Sequence, residues 1–295
     1  MTASELKTPY ERVRAPISEI VARVNIGDPQ CTPKLILGVG PARSGSTVMM
    51  RVFGASGIEA HFQQLKNILR WLIQAGEYSF NLPQTPERTL FLKETIGPYS
   101  NQEAAFNPLT ALLETGYPPE KLQLFIIGRH PLSTWASWKH WFGQNTSLEL
   151  FKIANQTAEN IRRQAVQQGL QTTTLAYEIL NEQLPEIVIS RLFARFGIPF
   201  SSAACGGWDI LPAFGDPGSN IVLPEEPEIF VVPHVHDRAS KTPALIYYPS
   251  EKAIWDLPEE ECDWIESNGL FSIYAEWLAA CRQDLSFDAP RQASI

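Results

Sequence analysis

The sequence predicts an α/β fold: one domain built on a central, mainly parallel sheet flanked by helices, with an irregular C-terminal lid region. Three observations predict it. Short apolar runs rich in branched residues alternate with segments of helical periodicity, as strands buried on both faces and joined by crossover helices do. The first of these runs ends in a glycine-rich turn that opens directly into a helix. From 201 to about 249 the periodicity lapses into a stretch rich in Gly and Pro, and a loop that long inside a compact domain is usually a lid or a binding loop.

The elements follow in order. Residues 1–33 read as a polar arm with a short helix around 17–24. LILGVG at 35–40 is a buried strand, and 46–55 a helix with Val48, Val52 and Ala55 at helical spacing, closed by Gly54 and Gly57. A helix is predicted over 63–75, a second strand over 89–94 and a helix over 103–114 stopped by Gly116. The third strand is 122–128; Pro131 suits the first turn of a helix that runs to Phe142. A longer helix over 148–168, a fourth strand over 172–177 and a helix over 185–196 complete the alternation. Helices return over 258–281, before a polar tail. The chain thus divides into an arm (1–33), an α/β core (34–200), and a lid loop with C-terminal helices (201–295) belonging to the same domain.

Composition bounds the function. The 295 residues are 44% hydrophobic and carry a net charge of -8. That balance speaks against nucleic acid or an anionic membrane as partner, so a polyanionic ligand requires cations gathered locally. No apolar run of eighteen residues is present to span a bilayer, and 1–14 lacks the apolar core of a secretory signal. Cys31, Cys205, Cys262 and Cys281 are scattered, without zinc or disulfide-framework spacing. The expectation is a cytoplasmic protein with no metal.

The turn after the first strand reads Gly40-Pro-Ala-Arg43-Ser44-Gly45-Ser46-Thr47. Backbone N–H groups converge in such a turn, and the helix N-terminus favours an anion. The two glycines and Thr47 match the nucleotide phosphate-loop pattern, but Ser46 stands where that pattern has lysine. A kinase without that lysine loses central charge stabilisation; the cation here is Arg43. P-x-[RK]-S-G-[ST]-T resembles the 5'-phosphosulfate loop of sulfotransferases that use 3'-phosphoadenosine-5'-phosphosulfate (PAPS), which are single P-loop domains. The run from Ile127 through Arg129 and Pro131 to Ser137 resembles their 3'-phosphate motif, an Arg after a strand and a Ser eight residues on. Tyr177, in a Y-E-x-L segment, corresponds to a residue near the adenine. The resemblance covers about 35–200. It implies PAPS as cofactor with PAP as product, no metal, and Arg43, Ser44, Gly45, Ser46, Thr47, Arg129, Ser137 and Tyr177 as its holders.

Past that segment the family's R-K-G-x-x-G-x-W-K pattern is missing; Arg238 closes over the 3'-phosphate in this reading, with Lys241 beside it, against the alternative of solvated surface charges. Where cytosolic members carry K-[ST]-H, this chain has Lys93-Glu94-Thr95. Glu94 is therefore the first choice of general base, Lys93 the steadying cation, and His61 the second choice, with Glu59 sharing its location. His130 orients its loop, and His234 with His236 form only two alternate imidazoles, too few for a metal site. Trp135, Trp138, Trp141 and Phe142 crowd one helix, where a ring can line an acceptor pocket. An acidic, aromatic-rich protein suits a neutral or cationic small-molecule acceptor, such as a natural-product alcohol or amine including a guanidinium alkaloid, taken by a monomer or homodimer. The competing functions are a P-loop small-molecule kinase and a non-catalytic PAP-binding module.

Overall fold

The computed structural model describes residues 10, 13–249 and 251–287; the first residues of the expected arm and the polar tail lie outside the described residues. A short helix α1 (Ile17–Val21) and strand β1 (Val24–Asn25) lead to β2 (Lys34–Pro41), α2 (Ser46–Ala55), β3 (Glu59–Phe62) and α3 (Gln64–Ile73). Strand β4 (Phe80–Asn81) pairs with β1 in a separate two-stranded ladder. Next come β5 (Thr89–Ile96), α4 (Asn101–Ala104), α5 (Pro108–Glu114), β6 (Leu122–Gly128), α6 (Pro131–Phe142) and α7 (Leu148–Gln167). Then β7 (Gln171–Ala176), α8 (Ile179–Glu182) and α9 (Pro185–Phe196) close the region of clear alternation. The last third holds β8 (Ile221–Val222), α10 (Asp237–Lys241), α11 (Glu251–Trp255), α12 (Glu259–Ser267) and α13 (Leu270–Asp284).

The main sheet has six strands in the order β7-β6-β2-β5-β3-β8, and every neighbouring pair is parallel. Every residue of β2 after Lys34 is buried, as a central parallel strand covered on both faces requires. Two apolar clusters cover those faces. One gathers Leu35, Leu37 and Leu92 with residues of α3, α5, α6 and α7; the other gathers Ile36, Phe91 and Phe125 with α2 and α9. Phe53 of α2 stacks on Phe91 at 4.2 Å between ring centroids. Because β5 and β6 lie on opposite sides of β2, the turns after these three strands open on one crevice at the carboxyl edge of the sheet, where α/β folds take ligands.

Three expectations need correction. The helix predicted over 103–114 is two helices. Pro108 holds Asn107 in an extended conformation (φ -109°, ψ 94°), and the Asn107 side chain accepts from the Thr110 N–H to start α5 afresh. Residues 59–62, for which no element is predicted, form the strand β3. And the aperiodic stretch over 201–249 contributes β8, which pairs with β3 and widens the sheet by one strand.

Candidate functional site

The loop between β2 and α2 carries the site. Gly45, at the N-cap of α2, has φ 95° and supplies no side-chain cap. A Cβ there would meet the Tyr177 ring at 2.8 Å, so only glycine lets the ring close against the turn. Arg43 is also left-handed, with φ 69°, a conformation that costs a non-glycine residue energy and clusters at ligand sites. It swings the guanidinium across the turn: Nε donates to Ser137 Oγ (3.1 Å), and a terminal nitrogen donates to the Val235 carbonyl (3.0 Å). Trp141 lies under it at 5.3 Å. Arg129, one residue past β6, donates to the Arg43 carbonyl (3.2 Å) and stacks on Tyr177 at 5.4 Å.

Arg43, Gly45, Ser46, Thr47, Arg129, Tyr177 and Arg238 therefore line one pocket, with Ala244, Ile246 and Tyr248 as its apolar side. A continuation lined by Arg43, Arg129, Ser137, Trp141 and Arg238 includes one carboxylate, Asp256. Neither Arg43 nor Arg238 forms an ion pair among the described residues. Burial, then Arg129 and Arg238, push the Arg43 pKa down to about 10. Two half-buried guanidiniums, Arg43 and Arg129, and the exposed Arg238, all repelling one another beside an uncapped helix N-terminus, make a place that suits an anion. Ser44 differs from its neighbours. It is fully buried, its hydroxyl has no partner, and it lines none of these spaces.

On the other side of Arg43 and Thr47 lies a second space, a chamber of similar size and just as open to solvent as the first pocket. Phe62, Tyr99, Phe142 and Phe230 provide its aromatic wall, and Lys66, Arg70, Lys93, Thr95, Glu226 and His236 its polar groups. Arg70 bonds Glu103 (2.7 Å) and Glu226, and Lys66 lies 3.5 Å from Glu103. Lys93 is only 2% exposed, and its ammonium sits 3.9 Å over the Phe62 ring. Burial first, then Lys66, hold its pKa well below the usual lysine range; burial brings Lys66 down to about 8.

The expected bases are placed elsewhere. Successive side chains of β5 alternate in direction, so Lys93 and Thr95 face the chamber and Glu94 faces away with Leu92 and Ile96. Glu94 is 0% exposed and accepts the backbone N–H groups of Leu65 (2.9 Å) and Lys66 (3.1 Å), capping α3. Burial pushes its pKa up to about 7 against those two hydrogen bonds. His61 is 5% exposed, pairs with Glu59 (2.7 Å) and packs edge-on to Phe80, outside both spaces. Its pKa is lowered by burial, with Glu59 pulling it back.

Other candidates sort by contact. The His130 ring packs against Phe271 and Tyr274 while the residue's backbone N–H donates to the Glu178 carboxylate (3.0 Å), consistent with orienting the turn. His234 is exposed and pairs with Asp237 (3.1 Å), as does Lys241 (2.7 Å), so Lys241 points into a surface pair and not over the pocket. Trp135 and Trp138 donate to Glu261 and to the Ala42 carbonyl in the packing beneath α6. Trp141 and Phe142, by contrast, reach the continuation pocket and the chamber.

Several contributors carry no local sequence signal. Arg51 of α2 donates to the carbonyls of Pro212 (2.9 Å) and Ser240 (3.0 Å), tying the aperiodic segment to the core. Glu225 accepts from Asn67 (2.8 Å) and Trp71 (3.0 Å), which fixes Glu226 over α3. His236 turns inward, half-buried, against Phe62. All three contacts join segments more than 150 residues apart, beyond what residue spacing reveals.

No family model matches this chain, and no curated protein matches it. Among solved structures, it is similar to the sulfotransferase domain from the Synechococcus PCC 7002 olefin synthase, over 77% of this chain and 97% of that domain, at 12% identity and a TM-score of 0.41.

Proposed function

We propose that this protein is an enzyme that transfers the sulfuryl group of PAPS to a hydroxyl of a small, neutral acceptor and releases PAP. The observation that carries the reading is the position of Arg43. Its guanidinium is the shared wall of a cationic pocket on one side and an aromatic chamber on the other. A donor nucleotide in the first and an acceptor in the second would meet at the α2 N-terminus.

The residues fit that cofactor. The uncapped α2 N–H groups and Arg43 suit a 5'-phosphosulfate, and Arg129, Ser137 and Arg238 suit a phosphate on the ribose, with charge-assisted hydrogen bonds of about 1.5–3 kcal/mol each. Tyr177, Ile246 and Tyr248 offer flat and apolar surface to a base. Bound PAPS supplies a sulfuryl group on a good leaving phosphate. The chain's own part is to hold that end in line with the acceptor, to keep water out, and to steady negative charge with Arg43 and Lys93. Ser46 in place of the nucleotide-loop lysine disfavours a kinase.

The chamber also revises the acceptor. Four cations, Arg43, Lys66, Arg70 and Lys93, line it against one carboxylate, Glu226, which Arg70 already engages. A guanidinium or ammonium acceptor gains no free counter-charge there, so a neutral alcohol or phenol with an apolar body replaces the cationic alkaloid expected from composition.

Thermal denaturation with PAP, PAPS and Mg-ATP side by side tests the reading. A ligand at a hundred times its Kd adds about 2.7 kcal/mol of apparent stability. Stabilisation by PAP and PAPS but not by Mg-ATP is expected; the reverse pattern overturns the proposal. PAP binding with no PAP release from PAPS in any alcohol or phenol would favour a non-catalytic module.

A further inference from the structure

Resting on that reading, we infer that His236, delivered by the segment that crosses the site ahead of α10, is the general base that takes the acceptor's proton, and that nucleotide binding is what makes it basic enough to act.

The strand position at which a base was expected is taken by Thr95, whose hydroxyl is bonded to Gln63, while Glu94 and His61 face away from the chamber. Of the imidazoles in the chain only His236 lines the chamber. Its ring packs edge-on to Phe62 at 4.9 Å, beside the face that Lys93 covers. It makes no hydrogen bond among the described residues, and its Nδ1 is shut from solvent without a partner. A buried imidazole nitrogen without a partner, on a ring that lines the chamber, has a partner to gain from a ligand. Its neighbour Val235 is held by Arg43 through the carbonyl (3.0 Å), so the base is positioned by the same guanidinium that faces the nucleotide.

The charges around the ring explain the coupling. Lys93 on β5, Arg43 on the phosphate loop and Arg70 on α3 face it, Lys66 of α3 and the Glu226 carboxylate share the chamber with it, and Asp237 of α10 opposes the cations; burial first, then Lys93, Arg43 and Arg70, push its pKa down to about 3. Such an imidazole is a weak base. A polyanion beside Arg43 and Lys93 offsets part of that repulsion and raises the proton affinity of the ring. Priming is thus confined to the state in which the donor is in place.

The step balances. The acceptor O–H gives its proton to a ring nitrogen of His236 as the oxygen forms a bond to sulfur. The bridging S–O bond breaks, and its electron pair stays on the 5'-phosphate of PAP. The imidazolium then returns the proton to solvent.

Two measurements test this, one of them without any acceptor. In NMR titrations of the His236 ring, assigned by the loss of its signals in His236→Gln, saturation with PAP should raise the midpoint by about one unit or more. An unchanged or lowered midpoint with PAP bound overturns the priming. PAP release from PAPS, screened over simple alcohols and phenols, should fall about a hundredfold in His236→Gln with PAP affinity within threefold of the parent. Parent-like turnover in that variant overturns the assignment while leaving the sulfotransferase reading intact. If PAP fails to bind the parent protein, the nucleotide reading falls first, and this inference with it.

Discussion

The two spaces that meet at Arg43 are built differently. The outer pocket draws its anion-facing Arg43, Gly45, Ser46 and Thr47 from one turn and helix start, and Arg129 from one strand end, while Arg238, Ala244, Ile246 and Tyr248 come from the aperiodic segment. The chamber draws Phe62, Lys66, Arg70, Lys93, Tyr99, Phe142, Glu226 and His236 from β3, α3, β5, the loop after β5, α6 and the aperiodic segment. A ligand recognised by phosphates can be held by a turn and a helix end, which are local structures with fixed residue spacing. A ligand recognised by shape needs walls from many directions. The difference teaches that the anion-facing groups of the outer pocket are encoded locally and the chamber by assembly.

The largest expected effect probes that assembly. Arg70 is buried and joins Glu103, itself fully buried, to Glu226. Arg70→Met leaves the Glu103 carboxylate without its principal partner, and breaking a buried pair in this way costs about 3–5 kcal/mol. Chemical denaturation should show that loss, and PAP affinity of the folded fraction should stay within threefold. The pH dependence has a definite sign. Burial raises the Glu103 pKa, but Arg70 and then Lys66 outweigh it and leave it lowered. Its contribution is therefore present above the unfolded carboxylate value of about 4.3 and lost as pH falls through the folded value. The gap between parent and variant should narrow in acid. A gap that widens there would mean Glu103 is not the group involved.

A smaller effect, on the outer pocket, is expected from Arg129→Ala. Loss of one charge-assisted contact of about 1.5–3 kcal/mol should weaken PAP roughly ten- to a hundredfold, read by calorimetry, with little change in chamber stability. Equal losses of PAP affinity in Arg129→Ala and Arg70→Met would break the division between the two regions.

The smallest effect is expected at Glu94. Its carboxylate caps α3 and lines neither space, so Glu94→Gln should keep PAP affinity and PAP release within about threefold. A loss of release near a hundredfold would restore Glu94 as the base.

The same division governs what the sequence makes legible. The helix predicted over 46–55 is α2 residue for residue, because its start and end are punctuated by glycines and its apolar face is periodic. The phosphate-loop turn and the Arg129–Ser137 spacing are local too, and the structure places Arg43, Arg129, Tyr177 and Arg238 around one pocket, with Ser137 in its continuation. Strand β3 escaped because four residues give too little periodicity, and Gln63, at φ 46°, turns the chain at once into α3. The direction of Glu94 is legible in the alternation of β5: a strand that points Lys93 at the chamber must point Glu94 away. His236 was legible only as a histidine in an aperiodic stretch; its burial depends on Phe62, far back in the chain.

The central claim is that the cationic pocket holds a nucleotide phosphorylated at both ends, and calorimetry of PAP against adenosine 5'-phosphate tests it most directly. The account predicts that PAP binds at least tenfold more tightly, and that Arg129→Ala removes most of that preference while Arg43→Ala weakens both ligands. Equal affinity for the two nucleotides in the parent protein, or a preference for PAP untouched by Arg129→Ala, would contradict it.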